Sequence, residues 1–468
     1  MDSNRSFTVH AHFYQPPREN PATNDVPSEP SAYPYHDWNE KIFETCYLPN
    51  IKIGNFSRIS FDIGPTLNRW LKSKHPDALR LIVEADRKVM NETGHGNAIA
   101  QSYHHTILPL SSKEEKETEI TWGIQDFIHT YGRAPEGMWL PETAVDTETL
   151  CCLVDQGIKF TILAPWQVNA NPRETYSPLI VKLPGNRQIA VFIYSGELSA
   201  RASFDIHATS NADHFVREQI EAQFTRDDIN QHVMMATDGE LYGHHQIFRD
   251  MFLSQMVNGS LKSIGVQLEY PGSYLEKISD LPFAAINENT SWSCHHGVKR
   301  WSQECDCTPG AKWKMPLRES LNEIAKDIDL LCKKHMNNYG IDVIKARNSY
   351  INVMLGENTI DSWLLSQTKY PINANESKVL ADLFQAQEYR LRMFASCGWF
   401  FNDFDRIEPH NSITNAAFAV FLVERALETN LAIKYQSLLA KVKNEENGIS
   451  GDIVFKQAYE SSISDQVS

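Results

Sequence analysis

The sequence predicts an α/β chain, with parallel strands and intervening helices up to about residue 290, followed by a mainly α-helical domain. Three observations carry this expectation. Short apolar runs alternate with capped amphipathic stretches of about 10 to 15 residues, the order expected of parallel βαβ units. After about residue 310 the patterns lengthen and become helical, and strand signals nearly vanish. The 468 residues are 42% hydrophobic and 10% aromatic, enough to bury two sizeable cores, so the domains are placed at 1–315 and 316–468.

Along the chain, "SFTVHAHF" is the first strand, and the proline-rich "PPRENPATNDVPSEPSAYP" after it is a loop placed to form a lid or rim. Pro76 opens the helix "PDALRLIVEADRKVM", with Asp77 in the first turn, where the macrodipole favours a carboxylate. In "SKEEKETEITWGIQDFIHTYG", Ser112 and Glu115 form a capping box, Ile120, Ile124, Phe127, Ile128 and Tyr131 share one face, and Gly132 ends the helix. "GMWLPE" and "KFTILAP" are strands around the short helix "DTETLCCLVDQG", whose Leu150, Leu153 and Val154 point inward. "HVMMATDGE" is a late strand and "GHHQIFRDMFLSQMV" the helix after it. Four long helical patterns follow, "PLRESLNEIAKDIDLLCKKHMNN", "DVIKARNSYINVM", "ESKVLADLFQAQEYRLRMFAS" and "HNSITNAAFAVFLVERALE", and "NGISGDIVFKQAYESSISDQVS" reads as a polar tail.

Charge and composition narrow the function. The formal net charge is −15, from 44 Lys and Arg against 59 Asp and Glu, without the basic clusters that track a phosphate backbone, so nucleic acid is excluded as a partner. No segment approaches the ~18 unbroken apolar residues of a membrane span, and "MDSNRSFTVH" has no signal-like apolar core, so no membrane association and a cytoplasmic location are expected. Eight scattered cysteines fit a reduced protein. "SWSCHHGVKRWSQECDC" gathers Cys294, His296, Cys305 and Cys307, donors enough for zinc, but C-x-C is not the usual C-x₂-C knuckle, so no metal and no cofactor are expected.

Three strand ends carry unusual side chains. In "HAHFYQPP", His10 and His12 point to one side of their strand, with Gln15 just beyond. In "GMWLPE", Trp139 offers a flat apolar face suited to a sugar ring, and Glu142 a carboxylate able to attack or stabilise a developing cation. In "HVMMATDGELYGHH", Asp238 and Glu240 would share one face unless the chain turns at Gly239, and like charges that close raise at least one pKa. Sites in α/β folds gather at the carboxyl ends of strands, where all three stretches lie.

In these motifs the chain resembles glycoside hydrolase family 57. His10, His12, Gln15 and Pro16 match its HxHxxQP strand, and His105 in "HTILPL" its second motif. Trp139 and Glu142 match the strand end bearing the nucleophile, and "DGELYG" matches the stretch bearing the acid aspartate, here Asp238. The resemblance implies an irregular barrel of seven parallel strands, then a helical domain, and retaining hydrolysis or transglycosylation of α-linked sugars, chiefly α-glucans. It implies Glu142 as nucleophile and Asp238 as general acid/base. His10, His12 and His105 would bond sugar hydroxyls around a ring packed on Trp139, with Gln15 beside them, and Glu240 would support or cap. Trp292, at the start of the junction "WSCHHGVKRW", is expected to line the sugar site together with the helical domain, where Trp399, Phe400, Phe401 and Phe404 cluster. Two other readings stay open: a metal-dependent deacetylase or zinc α-mannosidase-like hydrolase using His10, His12, His105 and Asp238, or a non-catalytic α-glucan-binding protein. The oligomeric state is not readable.

Overall fold

The computed structural model describes residues 5–170, 178–225, 230–444 and 448–465. The chain divides into two compact units, Met1–Gln15 with Ser28–Ser102 and Phe127–Trp292, and Pro16–Pro27 with Tyr103–Asp126 and Ser293–Ser468. The units interleave in sequence. The texture of the chain places one cut near residue 315, whereas residues 16–27 and 103–126 pack with the second unit.

Among its described residues the first unit has eleven strands: β1 (Arg5–Phe13), β2 (Ser60–Ile63), β3 (Ala98–Gln101), β4 (Met138–Trp139), β5 (Phe160–Leu163), β6 (Val168–Asn169), β7 (Leu179–Leu183), β8 (Arg187–Ile193), β9 (Gln231–Asp238), β10 (Gln267–Leu268) and β11 (Phe283–Ile286). β9 runs parallel along β1 from Arg5 to His12, while β10 and β2 pair with the two halves of β1 and β3 and β4 continue outward from β2. A single parallel bridge, Gly137 to Phe160, joins β4 to β5, and β5 pairs parallel with β8. The Ser195 amide donates to the Met234 carbonyl at 2.7 Å, which brings the end of β8 back to β9. Seven parallel strands therefore follow one another in the order β9-β1-β2-β3-β4-β5-β8. This is the irregular barrel that the resemblance implied, with thin joints at β4–β5 and β8–β9.

β7, β11 and β6 depart from the all-parallel expectation. β7 and β8 form an antiparallel hairpin around Gly185 and Asn186, both at positive φ. Their apolar runs are short, and the turn residues in "LPGNR" are the signal that names the hairpin. The core inside the barrel is contributed by neighbouring strands: Ile99, Trp139, Phe160, Ile162, Phe192, Met234 and Ala236 pack together with Tyr194 and Tyr274.

Capped helices begin as the sequence predicts, both within this unit and, for Lys113–Tyr131, from residues that belong to the second. The helix Pro76–Thr93 has proline in its first turn beside Asp77, and Gly94 closes it in the left-handed conformation. Ser112 and Glu115 exchange the two capping-box hydrogen bonds at 2.6 and 3.3 Å ahead of the helix Lys113–Tyr131. In the helix Thr147–Asp155, Leu150 and Leu153 are buried as expected, but Cys152 is buried while Val154 is only partly covered. The helix expected from Gly243 starts only at Arg249, because Phe248 takes a left-handed φ of 64° and the residues between are turns.

In the second unit the long helices are Lys314–Met336, Ala374–Arg392 and Ile407–Leu427. Within this unit the proline-rich segment is held down: Tyr389 Oη donates to the Pro21 carbonyl at 3.1 Å, Arg392 pairs with Glu19 at 2.6 Å, and Asn411 donates to the Pro17 carbonyl at 2.9 Å. The segment expected to be a polar tail is instead a helix, Gly451–Asp465. Val454, Phe455 and Ser462 are buried, and Tyr459 bonds Glu424, a one-sided stripe that serines and charges on the other faces hide in the sequence. No helix among the described residues is long and apolar enough to cross a membrane.

Candidate active site

The parallel register brings three polar residues abreast at the strand ends of the first unit. His12 pairs with Asp238 of β9 on one side and Asp62 of β2 on the other. Paired residues of a parallel sheet share a face, so an acid, an imidazole and an acid stand in a row. Asp62 is fully buried and accepts from both histidines, His12 Nδ1 at 2.8 Å and His10 Nε2 at 3.1 Å. Burial alone would lower the pKa of His12, but the charge and hydrogen bond of Asp62, with Asp238 and Glu240 nearby, raise it to about 9. His10 goes the other way: burial lowers its pKa despite Asp62.

Trp139 closes this layer. Its ring stacks on His10 and on His12 at 5.0 and 4.9 Å, and Trp292 meets it edge-on at 5.0 Å. Beyond it the chain turns sharply. Glu142 and Thr143 take left-handed φ values of 57° and 49°, strained for any residue with a Cβ and most of all for a β-branched threonine. Gln167 holds the turn, accepting from Thr143 Oγ1 at 2.7 Å and donating to the Thr143 carbonyl at 2.8 Å. The result aims the Glu142 carboxylate at Trp292, whose indole Nε1 donates to Oε2 at 2.9 Å, while the Trp292 amide donates to the Glu142 carbonyl at 3.0 Å.

The stretch "DGELYG" is shaped by its glycines. A Cβ on Gly239 would lie 2.2 Å from the Phe13 ring, and one on Gly243, at φ 139°, 2.3 Å from the Thr45 carbonyl. The chain turns at Gly239, so Asp238 stays exposed and Glu240 is buried. Glu240 Oε1 accepts from Tyr47 Oη at 2.6 Å, from the Tyr14 amide at 3.3 Å and from Gln15 Nε2 at 3.5 Å. Burial, with the Asp238 charge adding to it, raises its pKa to about 7 against the pull of Tyr47 and His12. The carboxyl held near neutrality by crowding at this strand end is Glu240.

A family model described as glycosyl hydrolase family 57 matches residues 6–282, more than half of the chain. The chain belongs to glycosyl hydrolase family 57. Residues 310–467 match a model described as a domain of unknown function, DUF3536. A curated relative, the 4-alpha-glucanotransferase of Thermococcus litoralis, is 21% identical over 273 residues, which are 54% of this chain and only 39% of that protein. Among solved structures, a maltose-forming amylase from Pyrococcus sp. ST04 superposes with a TM-score of 0.74 at 15% identity, covering 97% of this chain and 88% of that one. A branching enzyme from Pyrococcus horikoshii gives 0.57 at 15% identity, covering 98% and 95%. At these identities the likeness is one of fold.

Within this family 57 fold the first unit gathers His10, His12, Gln15, Trp139, Glu142, Asp238, Glu240 and Trp292. His10 is fully buried and spends both ring nitrogens on Asp62 and on Ser60, the latter at 3.0 Å, and Trp139 is fully buried, stacked on both imidazoles. Trp292 belongs to the first unit, not to the helical one, while Trp399 and Phe404 are core of the second. His105 lies in the second unit, buried at φ 58° with Nδ1 2.6 Å from Ser396 Oγ. Sequence reasoning missed Asp62 and Tyr47. An aspartate inside the apolar strand "SFDIG" was the available signal for the first, since a buried carboxylate needs a partner; nothing local marks the second.

Proposed function

We propose that this chain is a retaining glycosidase or transglycosidase acting on α-linked glucans, with Glu142 as nucleophile and Asp238 as general acid/base. The observation that carries the reading is the strained turn that presents Glu142 to the indole N–H of Trp292 at 2.9 Å. A hydrogen bond donated to a carboxylate favours its ionised form and fixes its aim, as a nucleophile requires. Asp238 ends another strand of the same parallel set and is open to solvent.

In the first step Asp238 protonates the glycosidic oxygen, the bond from that oxygen to the anomeric carbon breaks, and a Glu142 oxygen bonds to the carbon with inversion. In the second step Asp238 takes a proton from water or from a sugar hydroxyl, whose oxygen displaces Glu142 with a second inversion. His12, protonated at neutral pH, stands beside Asp238 and steadies the anion that each first step leaves. His10, Asp62 and Trp139 position His12 from behind. A zinc hydrolase built on His10 is disfavoured, because both of its nitrogens are already committed.

Proton NMR of the first product anomer released from a panel of α-linked oligosaccharides tests the reading. Retention is expected. An inverted first product would remove Glu142 as nucleophile, and no turnover across the panel would leave the binding-protein alternative.

A further inference from the structure

Between Ser293 and the helix Lys314–Met336 the chain has little regular structure, only the single turn Lys299–Trp301 and an isolated bridge between Cys305 and Thr308. Stretches of this length without structure of their own are uncommon in compact domains. Yet Cys294, Trp301 and Ala311 are buried, so something besides a backbone ladder has to hold the loop.

Four side chains converge in it. The Sγ atoms of Cys294, Cys305 and Cys307 and a ring nitrogen of His296 all lie within 4.8 Å of one another. Cys294 Sγ is 3.8 Å from Cys305 Sγ, and Cys307 Sγ is 3.5 Å from His296 Nδ1. A tetrahedron around zinc, with Zn–S about 2.3 Å and Zn–N about 2.0–2.1 Å, has S···S edges of about 3.8 Å and S···N edges of about 3.5 Å. Both close pairs match those edges. The other imidazole nitrogen, Nε2, faces Asp306 Oδ2 at 3.4 Å, the carboxylate partner that commonly orients a ligating histidine.

A second observation points the same way. Lys314 is fully buried and its Nζ has no hydrogen-bond partner; burial and then the Arg300 charge lower its pKa to about 7, while charge on Cys305, Cys294 and Cys307 would raise it. An unpaired buried ammonium is costly. Three thiolates and one neutral imidazole around a dication leave one net negative charge, which Lys314 would balance.

We propose that Cys294, His296, Cys305 and Cys307 bind one structural zinc ion. Binding displaces three thiol protons and involves no redox change. Four protein donors close the coordination sphere, so the ion ties the loop and does no chemistry. The spacing argument against a metal fails because each half of the site is an i, i+2 pair, Cys294 with His296 and Cys305 with Cys307, and the fold brings the two pairs together.

The test uses the full chain, kept reduced and supplied with zinc. About one equivalent per chain should survive dialysis and be released by a mercurial thiol reagent, and stripping it should lower Tm. Cobalt in its place should show the intense visible bands of a tetrahedral site and a thiolate charge-transfer band. Cys305→Ser should lose the zinc, and Lys314→Met should weaken zinc binding about 10-fold or more. Should Cys305→Ser fail to fold, the wild-type cobalt spectrum decides alone. Zinc below about a tenth of an equivalent, or an octahedral cobalt spectrum, would overturn the proposal.

Discussion

The indole N–H of Trp292 and the burial of Glu240 are the two residue-scale features with the sharpest consequences. Trp292→Phe keeps an aromatic ring beside Trp139 and removes the N–H that bonds Glu142, together with part of the indole that packs on His12 and Tyr194. A bond to a charged group is worth about 1.5–3 kcal/mol, so kcat should fall about 10- to 150-fold with KM and Tm nearly unchanged. A matching drop in Tm would make Trp292 a packing residue instead. Glu240 keeps its proton to about pH 7 when folded, against an ordinary value of 4.5, so between these pH values the folded chain binds the extra proton and stability falls as pH rises. His12, raised from 6.5 to about 9, extends the same fall through that higher window. His232 and His244, lowered by burial to about 3 and about 4, push the other way below pH 6.5, so the test is a difference: urea unfolding at a series of pH values should show the stability of the wild type falling relative to Glu240→Gln between pH 4.5 and 7, and a constant difference would remove Glu240 as a source of the fall. The motif residues at this scale were legible because their types are rare at strand ends. Asp62 and Tyr47 were not, since each matters only through a partner that the sheet register or the packing of a distant segment supplies.

At the scale of elements, helices with caps were readable and elements without them were not. Ser112 with Glu115, and Pro76 with Gly94, mark their helices in the sequence and hold them in the fold. The helix Gly451–Asp465 carries serines and charges on most of its surface, so its narrow buried stripe reads as a tail. Its contribution is measurable: Phe455 is 1% exposed and stacks near Tyr459, and Phe455→Ala should cost about 3–5 kcal/mol by urea unfolding. A midpoint unmoved by that change would mean the helix is not tied to the second unit. The β7–β8 hairpin was missed for a related reason, since a short apolar run does not reveal strand direction.

For the whole molecule, the barrel and the helical unit were visible as a change in periodicity, whereas their interleaving was not. Residues 16–27 and 103–126 join the second unit through contacts far apart in sequence, such as Tyr389 with Pro21 and Trp122 with the Arg347 carbonyl at 3.0 Å. Family membership rests on the sequence match over residues 6–282, and the proposed activity rests on one carboxylate becoming covalently glycosylated. That step can be caught: with a 5-fluoro α-glucosyl fluoride, a Glu142 oxygen should bond to the anomeric carbon as fluoride leaves, and the ring fluorine should slow release of the sugar more than its attachment, so the glycosyl ester accumulates. Intact and peptide mass spectrometry of the inactivated chain should find one sugar per protein on the peptide containing Glu142. A label on any other residue, or turnover of natural substrate with no trappable adduct and undiminished activity in Glu142→Ala, would contradict the account.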